Sequence, residues 1–501
     1  MSSTRPRVLR SVVVLLALAG VGSTGCGAAA ESGKVKEQRL GPVPEKTKSD
    51  PVTLATDEGC HVAMVATAGG KQRVIVDGRE GPEQVEIASG PFFSADWKCV
   101  VYAVRKNWSS MFIVVDGQAG PEYDAVWKVA VRPDGKSVAY SAKKGDKWLV
   151  VVDGRPGPEY DEIGLTTPIF SPDGKHMAYA AMKDEKCLTV VDGSAGPPND
   201  WAFRKNMVFS PDGKRLAYVA GRGRQEMVVL DGQAGTAYDE IWDAPRFSSD
   251  GKRLAYVGRD GRKWLPVVDG QEGSGYELIQ GGSPLFSPDG KHVACAAQKE
   301  DKWLVAVDGK AGPEYSGLVR VVLFSPDGKR MAYSVGKRDK CVVVVDDREG
   351  PEYRDVMSGM VFSPDSKRFA YTACADDYKY RVVVDGQAGP EYDRVAVDRP
   401  VTFSPDGKRV CYAAAKGGKA YLVVDGQEGP AHDSVARPAF SPDGKHLACL
   451  VGRGNKWSIM VDGQAGPEFD EPVCGPVFLK DGTVEYICKK DAAFYRIDQR
   501  P

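Results

Sequence analysis

The sequence predicts an all-β protein, a β-propeller of twelve four-stranded blade repeats of about 39 residues, on three observations. A Val-Asp-Gly tripeptide or near copy recurs with its aspartate at 77, 116, 153, 192, 231, 269, 308, 346, 385, 425 and 462, at gaps of 37–40 residues. A second marker, Ser-Pro-Asp-Gly-Lys or a near copy, runs in phase with aspartates at 96, 134, 173, 212, 250, 289, 327, 365, 406, 443 and 481, and "TDEGCHVAM" around Asp57 is a degenerate first copy. Between the markers, short runs rich in Val, Tyr, Phe and Trp alternate with Gly- and Asp-centred turns, the pattern of strands and hairpins.

Each unit is expected to hold four strands. Strand a is the run before Ser-Pro-Asp-Gly, strand b is "LAYV"-like, strand c is "KWLVVVD"-like, and strand d carries "PEYDEI". Ser-Pro-Asp-Gly suits a type I hairpin turn, because Pro presets φ at the second position and Gly takes the left-handed conformation that closes it. Asp-Gly after strand c does the same for the c–d hairpin. Both aspartates therefore read as turn formers rather than as catalytic or metal-binding carboxylates. The stretch "VVDGQAGPEYD" is repeated letter for letter at 114–124 and 383–393 because each copy closes an equivalent hairpin.

The motif "FSPDGKRLAY" (209–218) and its copies, spanning nearly all of residues 52–498, resemble the TolB-type, WD-repeat-like propeller repeat of exported bacterial proteins. The resemblance implies the propeller fold; the family's known partner is a peptidoglycan-associated lipoprotein. The chain departs from the family at Arg132, in place of the turn Ser, at Ser366 and Asp347, in place of turn glycines, and in its added "VVDGQxGPEYD" block.

Twelve blades exceed the four to eight typical of one ring, so two tandem six-bladed rings, 51–272 and 273–501, are the simplest arrangement; a single ring of twelve, or seven plus five, stays open. The glycine-rich "DGQEGSGYELIQGGSP" (269–284) reads as the linker. The last unit lacks a strand d, and "RLGPVPE" (39–45) is placed to supply it and cover an open edge.

Residues 1–25 read as a signal peptide: Arg5, Arg7 and Arg10 precede the apolar "SVVVLLALAGVG". "STGC" then resembles a lipobox, with Cys26 as the expected lipidation site and Ser23 where Leu is usual. Residues 26–50 become a polar, lipidated tether and possible closing strand. The charge balance, 67 Lys+Arg against 68 Asp+Glu, argues against a nucleic-acid partner, and loss of the three signal arginines leaves the mature chain mildly acidic.

Little in the chain looks catalytic. His61, His176, His292 and His446 follow the turn lysine, where other blades have residues such as Arg215 and Arg330; only His432, in the Tyr place of "PEYD", stands apart. There is no Gly-x-Ser-x-Gly and no Cys-x-x-Cys. Cys295 and Cys449 replace the strand b Tyr, and Cys187 and Cys341 the strand c Trp, as core substitutions. A disulfide such as Cys60 with Cys99, at sites taken as equivalent in adjacent blades, is compatible with an oxidising compartment, though spacing leaves connectivity open. The recurrent "EYD" carboxylates read as solvated ends of strand d, with Ca²⁺ binding as the alternative. Trp148, Trp264, Trp303 and Trp457 recur at one blade position, which fits packing better than carbohydrate stacking.

The expected protein is a non-enzymatic, exported lipoprotein of the bacterial cell envelope, periplasmic or at the cell surface, acting as a protein-protein interaction scaffold without cofactor or metal. The alternatives are a propeller hydrolase or lyase with a channel site, and a calcium or ligand sensor. An enzyme would show polar exceptions along strand a, which instead reads apolar, as in "MVF" (207–209 and 360–362). The a–b and c–d turns are near-invariant between blades, whereas b–c loops vary, and binding surfaces are built from loops free to differ on a rigid frame. Those loops carry Lys143, Lys144, Arg222, Arg224, Arg259, Arg262, Lys337, Arg338 and Arg453, so an anionic partner, such as an envelope protein, is expected there.

Overall fold

A computed structural model of the chain describes residues 35–44, 52–56, 58–201, 207–356, 359–396 and 401–501; the signal segment and Cys26 lie outside the described residues. Among these residues there are no helices, only twelve antiparallel sheets with the strand order a-b-c-d. Blade 3 is representative: strand a is Ala125–Val131, b is Val138–Lys144, c is Lys147–Val152 and d is Arg155–Tyr160.

Strand d differs from its expected extent. In blade 2 the residues after the Asp-Gly turn, Gln118–Ala119, pair with strand c, and Tyr123 ends the strand by bridging Met111. Pro121 between them has no N–H to give the ladder. The final residues of "PEYDEI" belong to the next sheet: Glu162–Ile163 pairs with Met182 and Ala181 of blade 4. The chain crosses at the aspartate, and the Asp161 N–H already donates to the Met182 carbonyl. Strand a is therefore longer than expected and is broken midway, as at the register shift between Val126 and Val129.

A lone sheet exposes two apolar faces, and here each is buried against a neighbour. One apolar cluster fills each junction between successive blades. The tyrosine ending strand d sits edge-on against the strand b tyrosine of the following blade: Tyr123–Tyr140, Tyr160–Tyr179, Tyr238–Tyr256, Tyr315–Tyr333, Tyr353–Tyr371 and Tyr392–Tyr412, with ring centroids 6.0–6.3 Å apart. The glycine of "DGQxG" is required by this contact. A Cβ on Gly389 would lie 3.1 Å from the Val382 carbonyl and 3.6 Å from the Tyr412 hydroxyl.

Two six-bladed rings would seat blade 6 on blade 1 and blade 7 on blade 12. The packing instead joins blade 6 to blade 7, where Val257 meets Tyr276, Ile279, Cys295 and Leu304. It also joins blade 12 to blade 1, where Cys474, Ile487 and Phe494 meet Cys60, Val62 and Met64. The division at 272/273 is not shown by these contacts, which run in one cycle; the glycines of 269–284 fall in the strand d turn and strand a break of ordinary blades.

Blade 12 is composite. Lys36–Pro42 pairs with Ala493–Gln499, from Lys36↔Asp498 to Pro42↔Ala493, and supplies the strand d that the C-terminal unit lacks. It begins three residues before the expected Arg39. Leu40 is its buried anchor, 8% exposed, and the Asp-Gly turn of blade 1 packs on it so closely that a Cβ on Gly78 would overlap the Leu40 carbonyl. Leu40→Ala should cost about 2–3 kcal/mol in denaturant unfolding, and deletion of 36–42 should cost more, because ladder bonds are lost as well. A deletion variant that unfolds at the wild-type midpoint would show the strand to be dispensable.

Candidate functional site: two unlike faces of the ring

The turns of each blade divide between two faces, and side-chain chemistry separates them. On the first face lie the a–b and c–d turns. The Val-Asp-Gly aspartate adopts a left-handed φ of 48–54° at every blade that has it, as a type I′ turn demands. Its Oδ1 accepts the N–H of the first strand b residue, for example Leu254 to Asp269 at 2.9 Å. Its Oδ2 accepts from the residue just before: Arg215, Arg253, Arg330, Arg368 and Arg409 through Nε, or His61, His176, His292 and His446 through Nδ1.

The arginines reach further. Arg253 Nη1 donates to the Gly290 and Lys291 carbonyls of the next blade at 3.2 and 2.7 Å, and its guanidinium lies 5.4 Å from the Phe286 ring centroid. Arg330 and Arg368 repeat this arrangement. The histidines repeat the bond to aspartate without the bridge to the next blade's carbonyls, though His61 stacks on Trp97 of blade 2 at 5.3 Å. In Ser-Pro-Asp-Gly the serine hydroxyl donates to the aspartate and accepts the N–H of the residue five on, as at Ser171, Asp173 and His176. That serine bond, followed by the Lys175 N–H, lowers Asp173 to about 2. Most turn lysines then lie beside their own turn aspartate, as Lys175 does at 3.3 Å and Lys291 at 3.5 Å, while in blade 3 Arg132 takes that place at Asp134. Both aspartates are thus turn formers whose carboxylates are bonded to the frame.

The second face holds the b–c tips and the d-to-a crossings. The "EYD" aspartates are largely exposed, as expected, but they also tie neighbouring blades together. Asp161 Oδ1 accepts from Lys147 Nζ at 2.6 Å and Oδ2 from the Asp184 N–H at the tip of the next blade, and Asp200, Asp393, Asp433 and Asp470 do likewise. The lysine bond, then the backbone N–H, hold these carboxyls below the usual range. Among the described residues no group of three or more His, Cys, Asp or Glu is arranged to hold a metal ion.

The nine basic loop residues divide. Lys144, Arg222, Arg224, Arg262, Arg338 and Arg453 are exposed and reach no carboxylate among the described residues; Lys143 is half-buried. Arg259 lies 3.3 Å from Glu240 and over the Trp264 ring, and Lys337 lies 2.6 Å from Glu349 and 3.5 Å from Glu352, so these two are neutralised. The tips of blades 4, 7 and 9 carry Asp184–Glu185, Glu300–Asp301 and Asp376–Asp377, so the basic residues do not form a continuous belt. The one adjacent pair of blades whose tips together carry three exposed arginines is 5 and 6. A cleft of about 440 Å³ opens there, lined by Trp201, Gly223, Arg224, Glu226, Asp239 and Glu240.

Trp201 is the residue that the sequence reading missed. It bridges Gly221, and its indole occupies the space where a Cβ on Gly221 would sit. The paired exceptions, Trp after "ND" and Gly in strand b, were its signal. Trp108, 97% exposed on the blade 2 tip, was also passed over. Nor is strand a uniformly apolar: Lys128 is exposed, Asp243 faces Arg246 at 3.8 Å, and Arg320 of blade 8 pairs with Asp355 of blade 9. These last charges satisfy one another.

No protein-family profile matches the chain, and no curated protein matches it. Solved structures that it resembles include a crystal structure of the eukaryotic initiation factor, at 14% identity and TM-score 0.31 over 81% of this chain and 98% of that one. The β-propeller domain of the Trilobed protease from Pyrococcus furiosus, described as having an open velcro topology, gives 16% and 0.26 over 52% and 92%. The Cps50 (Swd1) β-propeller domain of Myceliophteria thermophila gives 11% and 0.24 over 52% and 97%. Scores this low carry no argument about function or arrangement; the propeller is read from the blades.

Two outcomes follow from the first face. Arg253→Ala should cost about 2 kcal/mol, and Arg253→Lys should recover little of it, because lysine lacks the fork that spans two blades. Full recovery by lysine in unfolding titrations would reduce the arginine to a simple charge. The lowered aspartates contribute stability that is present above the ordinary carboxylate range and lost as the groups are protonated. The melting temperature should therefore be level above about pH 5 and fall between about pH 4 and pH 2, and Ser171→Ala should move the Asp173 contribution to higher pH.

Proposed function

We propose that the protein is a non-enzymatic propeller scaffold that takes an anionic protein partner on the b–c face, centred on the tips of blades 5 and 6. The observation that carries this reading is the contrast in charge pairing. On the first face turn lysines such as Lys175 and Lys291 stand against their own aspartates, whereas Arg222, Arg224 and Arg262 are exposed at the tips of blades 5 and 6, with Arg224 lining the Trp201 cleft. Exposed cations at neighbouring tips attract and orient carboxylate-rich surfaces. Lys144, Arg338 and Arg453 on other blades extend the attraction without forming a second cleft.

The order of basic, apolar and small residues before Cys26 supports export and attachment to the cell envelope by a lipid on that cysteine. "FSPDGKRLAY" supports placing the chain among TolB-type propellers. Reversing Arg222, Arg224 and Arg262 to Glu should abolish crosslinked capture of the native partner without moving the melting temperature, while the same change at Lys175, Lys214 and Lys291 should leave capture intact. The opposite pattern would put the partner on the turn face. Cys26→Ala should shift the protein from the membrane to the soluble fraction, and unchanged partition would remove the lipid from the proposal.

A further inference from the structure

The cysteines are not arranged as expected. All ten described cysteines are buried thiols. Cys60 and Cys99 belong to different junctions, Cys60 between blades 12 and 1 and Cys99 between blades 2 and 3. The reason is register: the Cys99 N–H bonds the turn serine Ser94 as the His176 N–H bonds Ser171, so Cys99 matches His61 rather than Cys60. A shift of one residue turns a strand side chain to the opposite face of the sheet.

Cys60 has another neighbour. Cys474, from strand a of blade 12, shares its apolar cluster and meets the Val52–Thr56 strand, whose Ala55 pairs with Cys60. The two come from opposite ends of the chain and are 0% and 6% exposed. The backbone around them is fixed from both blades: the Cys60 N–H donates to the Glu485 carboxylate, Arg496 Nη2 donates to the Cys60 carbonyl at 2.8 Å, and the Cys474 thiol points at the Leu54 carbonyl at 3.4 Å. Cys411 and Cys449 also share a junction, but they join consecutive blades within the chain.

We propose that Cys60 and Cys474 form a disulfide that fastens blade 12 to blade 1. Arg437 donates to the carbonyl of Gly475, next to Cys474, at 3.1 Å, while the Glu485 carboxylate stands at Cys60, so Cys474 loses its proton more readily and is the attacking thiolate. The oxidant is a small or protein-borne disulfide. Cys474 attacks one of its sulfurs, forming a mixed disulfide and expelling one thiolate; Cys60 then loses its proton, attacks the Cys474 sulfur and expels the second. Two protons and two electrons pass to the carrier, which leaves as two thiols. Because both sulfurs are buried in the closed ring, the carrier reaches them before blades 12 and 1 dock or when they part. The bond then closes nearly the whole chain into one loop, the length at which a cross-link restricts the unfolded chain most.

The test uses the full chain equilibrated in oxidised or in reduced glutathione. Non-reducing digestion of the oxidised sample should give a peptide joining Cys60 to Cys474, read on the wild type so that no variant need fold. Its melting temperature should exceed that of the reduced sample, and Cys474→Ser should abolish the difference while Cys449→Ser keeps it. Quantitative alkylation of both cysteines after denaturing the oxidised sample, or a peptide joining either one to a different cysteine, would overturn the proposal.

Discussion

The carboxylate of the Val-Asp-Gly turn is the point on which the rest of the ring depends. Its left-handed backbone turns strand c into strand d, and its two oxygens tie that turn to the start of strand b and to the residue before it. Where that residue is arginine, the bond to Nε fixes the plane of the guanidinium, which leaves Nη1 aimed at the turn carbonyls of the following blade. One acidic group thus closes a hairpin and sets the angle at which the next sheet is received. Neutral partners at the same distance would bind more weakly, since charge-assisted bonds are about twice as strong as neutral ones.

Much of this was legible in the sequence because turn chemistry is local. Ser-Pro-Asp-Gly and Asp-Gly announce their conformations within four residues, and the turn role of both aspartates is visible before any contact is known. What was misread depends on what lies across a junction. "PEYDEI" looks like one strand, but its tyrosine belongs to one blade and its isoleucine to the next, because the aspartate between them is bound to the following blade. Arg259 and Lys337 look like free cations, but Glu240, Glu349 and Glu352 are brought to them by pairing. Ring size is the least local property, being fixed by every inter-sheet angle together, and no short motif encodes it.

The exceptions to the repeat are informative as pairs. Tyr276 meets Cys295 where other junctions have two tyrosines, and His432 precedes the blade that carries Cys449. Trp201 and Gly221 exchange volume across one sheet. At Ser366, which keeps the left-handed φ of the glycine it replaces, the hydroxyl accepts the Asp327 N–H of the preceding blade. Such matched changes keep a junction filled while altering its chemistry, so departures from the repeat are places where the frame was retuned. They are also where the cleft and the proposed cross-link lie.

A closed cycle of junctions has a consequence that an open row of the same blades lacks. In a linear stack, rupture of one junction releases everything beyond it. In a cycle, the first rupture yields a gapped arc whose two separated faces remain tethered through the other eleven junctions, at high effective concentration, and reseal. Losing a blade takes two simultaneous ruptures. Defects at any one junction, including those with histidine in place of the bridging arginine, are therefore tolerated so long as the arc around them holds.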